Sequence, residues 1–123
     1  MNNNTEINTD EQELLFELYS FKASDGEIYT VRPATVAEVI APDSNFMEMI
    51  NAVGVPLLDE KGNPRLMCVA ALSDTKKKGY IEELISRYVS RGGKNVTLSE
   101  ISESGFTIDD ILLLIKKIAG ISG

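Results

Sequence analysis

The chain has 123 residues, 43% of them hydrophobic and 25% charged, which suits one soluble globular domain with a real core and leaves no room for two. Its net charge is -7, and Glu6, Asp10, Glu11 and Glu13 supply four of those charges in a start without a base, so the rest of the chain is nearly balanced. Such a distribution makes no field that would gather nucleic acid, and anionic membranes would repel the acidic end.

No run reaches the roughly 18 consecutive apolar residues of a membrane span, and MNNNTEINTDEQE is polar where a secretory signal is basic and then apolar. A cytoplasmic protein is expected. Residues 1–13 carry too few apolar groups to offset ordering entropy and read as a disordered acidic tail, with residues 14–123 as the single domain. Residues 14–23 (LLFELYSFKA) and 27–32 (EIYTVR), joined by Ser24-Asp25-Gly26, read as an antiparallel β-hairpin. Pro33 stops the second strand, and Thr35 with Glu38 makes a capping box for a short helix ending before Pro42. Another helix follows, capped by Asp43 or Ser44, with Phe46, Met47, Met49, Ile50 and Val53 on one face and Gly54 at its end.

Residues 55–64 form a loop by composition. Residues 65–72 are an apolar run that suits a strand or a helix, and Asn63 as N-cap with Pro64 at the first helical position favours the helix. The clearest middle element is a helix over residues 74–91, with Tyr80, Ile81, Leu84, Ile85, Tyr88 and Val89 on one half and Gly92-Gly93 closing it. A short helix containing Leu98 and Ile101 then leads through Gly105 to the last helix. Thr107 caps that helix, and Asp109 and Asp110 lie where carboxylates meet the positive end of its dipole. At 100° per residue Ile108, Ile111, Leu112, Leu114, Ile115, Ile118 and Ala119 fill an arc of about 160°, wider than the stripe of a surface helix. Leu113 falls outside it, among Asp109, Lys116 and Lys117. A hairpin followed by a mainly helical body is an α+β domain.

Chemistry is scarce. Histidine is absent, which removes the commonest general base, the commonest metal ligand and both Ser-His and Cys-His nucleophile pairs. Asp59-Glu60, Glu82-Glu83 and Asp109-Asp110 are neighbours in sequence, so on a helix each pair diverges by about 100° and does not converge on a substrate. Neither an enzyme nor a metal or cofactor site is expected. The single Cys68, inside LMCVAAL, reads as a buried thiol. Lys76-Lys77-Lys78 reads as hydrated surface, and Met47, Met49 and Met67 as core fillers, with an adaptable docking surface as the alternative. The segment TLSEISESGFTIDDILLLIKKI has a helix-turn-helix outline, but Asp109 and Asp110 would face DNA phosphates, which leaves a DNA-binding regulator as a distant alternative.

Together the β-hairpin running into VRPATVAEV, the middle amphipathic helix closed by glycines and the ending GFTIDDILLLIKKIAGISG resemble the small tail assembly chaperones of long-tailed bacteriophages and prophage-derived tail particles, chiefly of Gram-positive hosts. The resemblance covers residues 14–123 through order, size and hydrophobic pattern, without a signature motif. It implies a non-catalytic protein that binds the helical tape measure protein and helps recruit tail-tube subunits; a structural tail or baseplate component is the close alternative. The expected contact surface is Ile108, Ile111, Leu112, Leu113, Leu114, Ile115 and Ile118 on the last helix, with Tyr80, Leu84 and Tyr88 on the middle one. Packing of these faces against each other and the hairpin is the competing account for most of them, Leu113 being the exception. Self-association is a further option, and neither nucleic acid nor membrane is an expected partner.

Overall fold

A computed structural model describes residues 19–54 and 62–121. The expected acidic tail, the start of the first strand, most of the 55–64 loop and the last two residues lie outside the described residues. The elements are β1 (Ser20–Lys22), β2 (Ile28–Val31), α1 (Val36–Ile40), α2 (Phe46–Met49) continued by a π-helical turn (Ile50–Gly54), α3 (Pro64–Ser73), α4 (Thr75–Tyr88), β3 (Val89–Arg91), β4 (Lys94–Asn95), α5 (Leu98–Glu103) and α6 (Ile108–Ile121). This is an α+β fold. The strands form one antiparallel sheet in the order β1-β2-β3-β4.

The first hairpin forms where turn chemistry placed it. The Gly26 N–H donates to the Ala23 carbonyl and the Ala23 N–H to the Glu27 carbonyl, both at 3.0 Å, while Gly26 takes the left-handed φ of 85°. Asp25 accepts the Glu27 N–H through its side chain at 2.9 Å. Phe21 opposite Tyr29 and Val31 opposite Val89 share the buried face of the sheet.

The second hairpin replaces the end of an expected helix. Helical periodicity carried α4 to Arg91, but the chain leaves the helix after Tyr88 because β2 offers an open edge: the Arg32 N–H donates to the Tyr88 carbonyl at 2.9 Å, and Val89 pairs with Val31. Tertiary pairing overrides a local preference that β-branched Val89 holds only weakly. Gly92-Gly93 is therefore a two-residue hairpin turn and not a helix stop; φ values of 59° and 81° and the pairing of Arg91 with Lys94 fit the I′ type.

Helix starts follow the sequence closely. Thr35 with Glu38 and Thr97 with Glu100 form complete capping boxes. The Asn63 side chain accepts the Leu66 N–H at 3.1 Å with Pro64 in the first turn, and Asp74 accepts the Lys76 and Lys77 N–H groups at 3.0 Å each. At α2 the cap is weaker: Asn45 is left-handed at φ 57°, and the Phe46 N–H reaches the Ser44 hydroxyl at 3.3 Å. Met47, expected on the buried face of this helix, is exposed, while Phe46, Met49, Ile50 and Val53 are buried. α6 continues through Gly120 to Ile121.

α4 is the central strut, touching α2, the π turn, α3, α5, α6, β3 and β4. α6 lies among α3, α4, the π turn and β2. A clasp on the other side joins β2, α1 and α4: Arg32 donates twice to Glu38 at 2.8 Å, the Thr35 N–H donates to the same carboxylate at 3.0 Å, and the Tyr88 hydroxyl donates at 3.2 Å. The Arg32 guanidinium also sits 4.5 Å from the centre of the Tyr88 ring. These donors, Arg32 foremost and then the Thr35 amide, outweigh burial and bring the Glu38 carboxyl down to about 2.

Because the folded-state value is depressed, the Glu38 clasp stabilises the protein fully above the ordinary carboxylate range and loses that contribution as pH falls towards about 2. With solvent screening, Glu38→Gln is expected to cost about 1 kcal/mol at pH 7 in urea unfolding, and its deficit against the parent should shrink steadily below pH 4.5. A deficit independent of pH would contradict the clasp. Two glycines give opposite expectations. Gly79, inside α4 with open space where a Cβ would stand, should gain about 0.5–1 kcal/mol as Gly79→Ala. Gly93→Val, forced to a left-handed φ, should lose about 1–2 kcal/mol by the same assay.

Candidate functional site

The ridge expected to meet a partner is mostly core. Ile111, Leu112, Leu114, Ile115 and Ile118 of α6 are buried, as are Leu84 and Tyr88 of α4. Ile108 is half-buried. The wide arc of α6 is explained by covering from several sides, since one helix wedged among two others, a π turn and a strand needs more apolar surface than a helix lying on a single layer. Tyr80 is half-buried and turned to α2, where its hydroxyl donates to Glu48. Leu113 alone of the ten is exposed, at 38%, as its position outside the arc required.

Sequence reasoning missed the outer face of α3. Leu66 is 64% and Val69 44% exposed, whereas Cys68 and Ala71 on the opposite side are buried. Leu66, Val69 and Ser73 fall within about 60° of one another on the helical wheel. The signal was available: a helix over residues 64–73 is apolar nearly all round, so one side of it had to face outwards or meet another element. Val36 and Ile40, 76% and 73% exposed, form a second apolar spot on the single long turn of α1.

Beside the α3 face lies a groove of about 290 Å³ between the end of α3, the first turn of α4, α5 and the start of α6. Leu72, Leu98, Phe106, Ile108 and Ile111 give it an apolar lining, and Lys78, Ser102 and Thr107 supply its polar groups. Its walls are held from behind. Phe106 packs edge-on against Tyr29 at 4.9 Å and against Phe21 at 6.3 Å between ring centres. The buried carboxylate of Asp110 accepts the Thr107 N–H at 2.9 Å and the Ser24 N–H at 3.2 Å, so it caps α6 and fastens the first hairpin turn to that helix. Asp25 in the same turn accepts the Ser104 hydroxyl at 2.8 Å and the Tyr29 hydroxyl at 2.6 Å. Desolvation pushes the Asp25 carboxyl upwards, but its hydrogen bonds from Tyr29, the Glu27 amide and Ser104 prevail and keep it below its ordinary value. In front, Arg65 donates to Asp109 at 2.7 and 3.1 Å and ties the start of α3 to the start of α6.

None of these polar groups converges on an open space beside a nucleophile. Asp25, Tyr29 and Arg91 form a chain, with Arg91 donating to the Tyr29 hydroxyl at 2.9 Å, but its length is spent joining the hairpins to the α5–α6 turn. Cys68 is fully buried, and burial lifts its thiol to about 11, far from the thiolate that reacts or binds metal. Among the described residues no group of three His, Cys, Asp or Glu side chains is placed to hold a metal ion, and no helix is long and apolar enough to cross a membrane. In the helix-turn-helix outline formed by α5 and α6, Asp110 turns inwards and Asp109 is paired with Arg65, so the charged side chains at the start of the second helix are hydrogen-bond acceptors already engaged within the fold. What the surface offers is an apolar helix face beside an apolar groove. Comparison with protein family models, curated proteins and solved structures gives no match.

Replacing Leu66 and Val69 together by serine should lower the fluorescence of a bound hydrophobic dye while leaving the melting temperature within about 4 °C of the parent, as expected for exposed positions. Unchanged dye binding would show that this face is not an accessible apolar surface.

Proposed function

We propose that this chain is a non-catalytic assembly chaperone of a phage-type tail, acting in the bacterial cytoplasm by covering apolar helical surface of a tape measure protein and aiding addition of tail-tube subunits. The observation that carries the reading is the exposure of Leu66 and Val69 on the outer face of α3, beside the apolar groove, and of Leu113 on α6, which packs against α3. The resemblance in order of elements and in hydrophobic pattern supports it, and the net charge of -7 suits a carrier that keeps an aggregation-prone client in solution. The contact surface is correspondingly moved from the buried ridge of α6 to the outer face of α3 together with Leu113.

The test is co-expression with the tape measure protein encoded nearest to this chain, followed by co-purification and analysis of finished particles. Recovery of a soluble complex together with absence from particles supports the chaperone. Presence in particles at fixed copy number would assign a structural place in the tail or baseplate instead. Leu113→Asp should unfold at the same urea concentration as the parent and weaken client binding by about tenfold or more. Leu114→Ala provides the contrast, a fully buried side chain whose truncation should cost about 2–5 kcal/mol of stability.

A further inference from the structure

We infer that the groove between α3, α4, α5 and α6 selects a helical segment bearing apolar anchors and a carboxylate, and that Lys78 reads the carboxylate. The inference rests on the client-binding reading and specifies the chemistry of the occupant. Charge sets the choice. The protein is acidic as a whole, yet the charged side chain lining this groove is Lys78, preceded on the first turn of α4 by Lys76 and Lys77. Lys78 makes no ion pair among the described residues, although Glu82 stands one turn ahead of it on the same helix. The order lysine then glutamate is the weaker arrangement for an intrahelical pair, and Asp74, four residues before Lys78, has its carboxylate engaged by the Lys76 and Lys77 N–H groups, so the ammonium group is left available to an occupant of the groove.

The lining fixes the rest. Leu72, Leu98, Phe106, Ile108 and Ile111 present apolar surface around about 290 Å³, room for one or two side chains of leucine size and not for a whole ligand of drug size. An amphipathic helix supplies such side chains at three- and four-residue spacing along one face, with a flanking residue free to reach the rim. A carboxylate there gains an opposite charge in a partly apolar surrounding, where the attraction is stronger than in open water. A basic flank meets Lys78 with like charge and is rejected.

The experiment uses the full chain and two fluorescein-labelled amphipathic peptides of about 15 residues that share the same leucine face, one with glutamates and one with lysines flanking it. Fluorescence anisotropy at low salt should show the glutamate peptide binding at least about tenfold more tightly, with the difference shrinking as salt rises. Lys78→Glu, at an exposed position that tolerates substitution, should reverse the order of the two peptides. Ile108→Ser, checked for folding by circular dichroism, should weaken the glutamate peptide by a similar factor. Equal binding of both peptides, or an order unchanged by Lys78→Glu, overturns the inference. If a tape measure protein still co-purifies undiminished with the Lys78→Glu chain, the chaperone reading stands and the groove assignment alone fails.

Discussion

Everything in this fold is arranged around the need to cover α6. Its side chains leave only a narrow strip for water, and α3, α4, the π turn and β2 each close part of the circumference. At about 1.5–3 kcal/mol for each large apolar side chain removed from water, the contributions of Ile111, Leu112, Leu114, Ile115 and Ile118 together are as large as the net stability of a typical domain. The sheet and the middle helix are placed where that surface requires them. The Asp110 carboxylate sets the position of the first hairpin along the helix, and the Arg65 pair does the same for α3.

The division between wall and face explains where function is sought. α3 turns Cys68 and Ala71 fully into the core, with Met67 and Leu72 partly buried against it, and keeps Leu66 and Val69 for the outside. Two exposed apolar side chains on a helix whose other side is already packed against the core are the physical ground for reading the outer face as a contact surface. The adjoining groove is preorganised by Phe106 against Tyr29 and Phe21, so a docking side chain would meet walls already fixed by the core.

Local chemistry was legible in the sequence and long-range pairing was not. Thr35, Asn63 and Thr107 act as the caps their spacing to the next helix demanded, and Asp74 and Thr97 cap in the same way, because a cap is decided within four residues. The end of α4 was misread because the strand that claims Val89 lies almost sixty positions earlier, and no local pattern carries that information. Likewise the arc of α6 was measured correctly, but its width is silent on whether the covering elements belong to the same chain. Leu113 was separable from the rest since its angle alone placed it among charged neighbours. Leu66 and Val69 were not, as a short apolar run reveals its inward side only once its packing partner is known.

The sheet also carries a kinetic implication. Its two hairpins are local, each closed by a turn of a few residues, but the seam between β2 and β3 joins Thr30 to Ser90 and Val31 to Val89 across all four of the helices α1 to α4. Nascent β2 thus leaves the ribosome with one row of amide and carbonyl groups unclaimed until the second hairpin has been synthesised. That seam is the pairing of highest contact order in the sheet and is expected to close after the two hairpins, and until it does the emerging polypeptide has an edge open to a neighbour's strand.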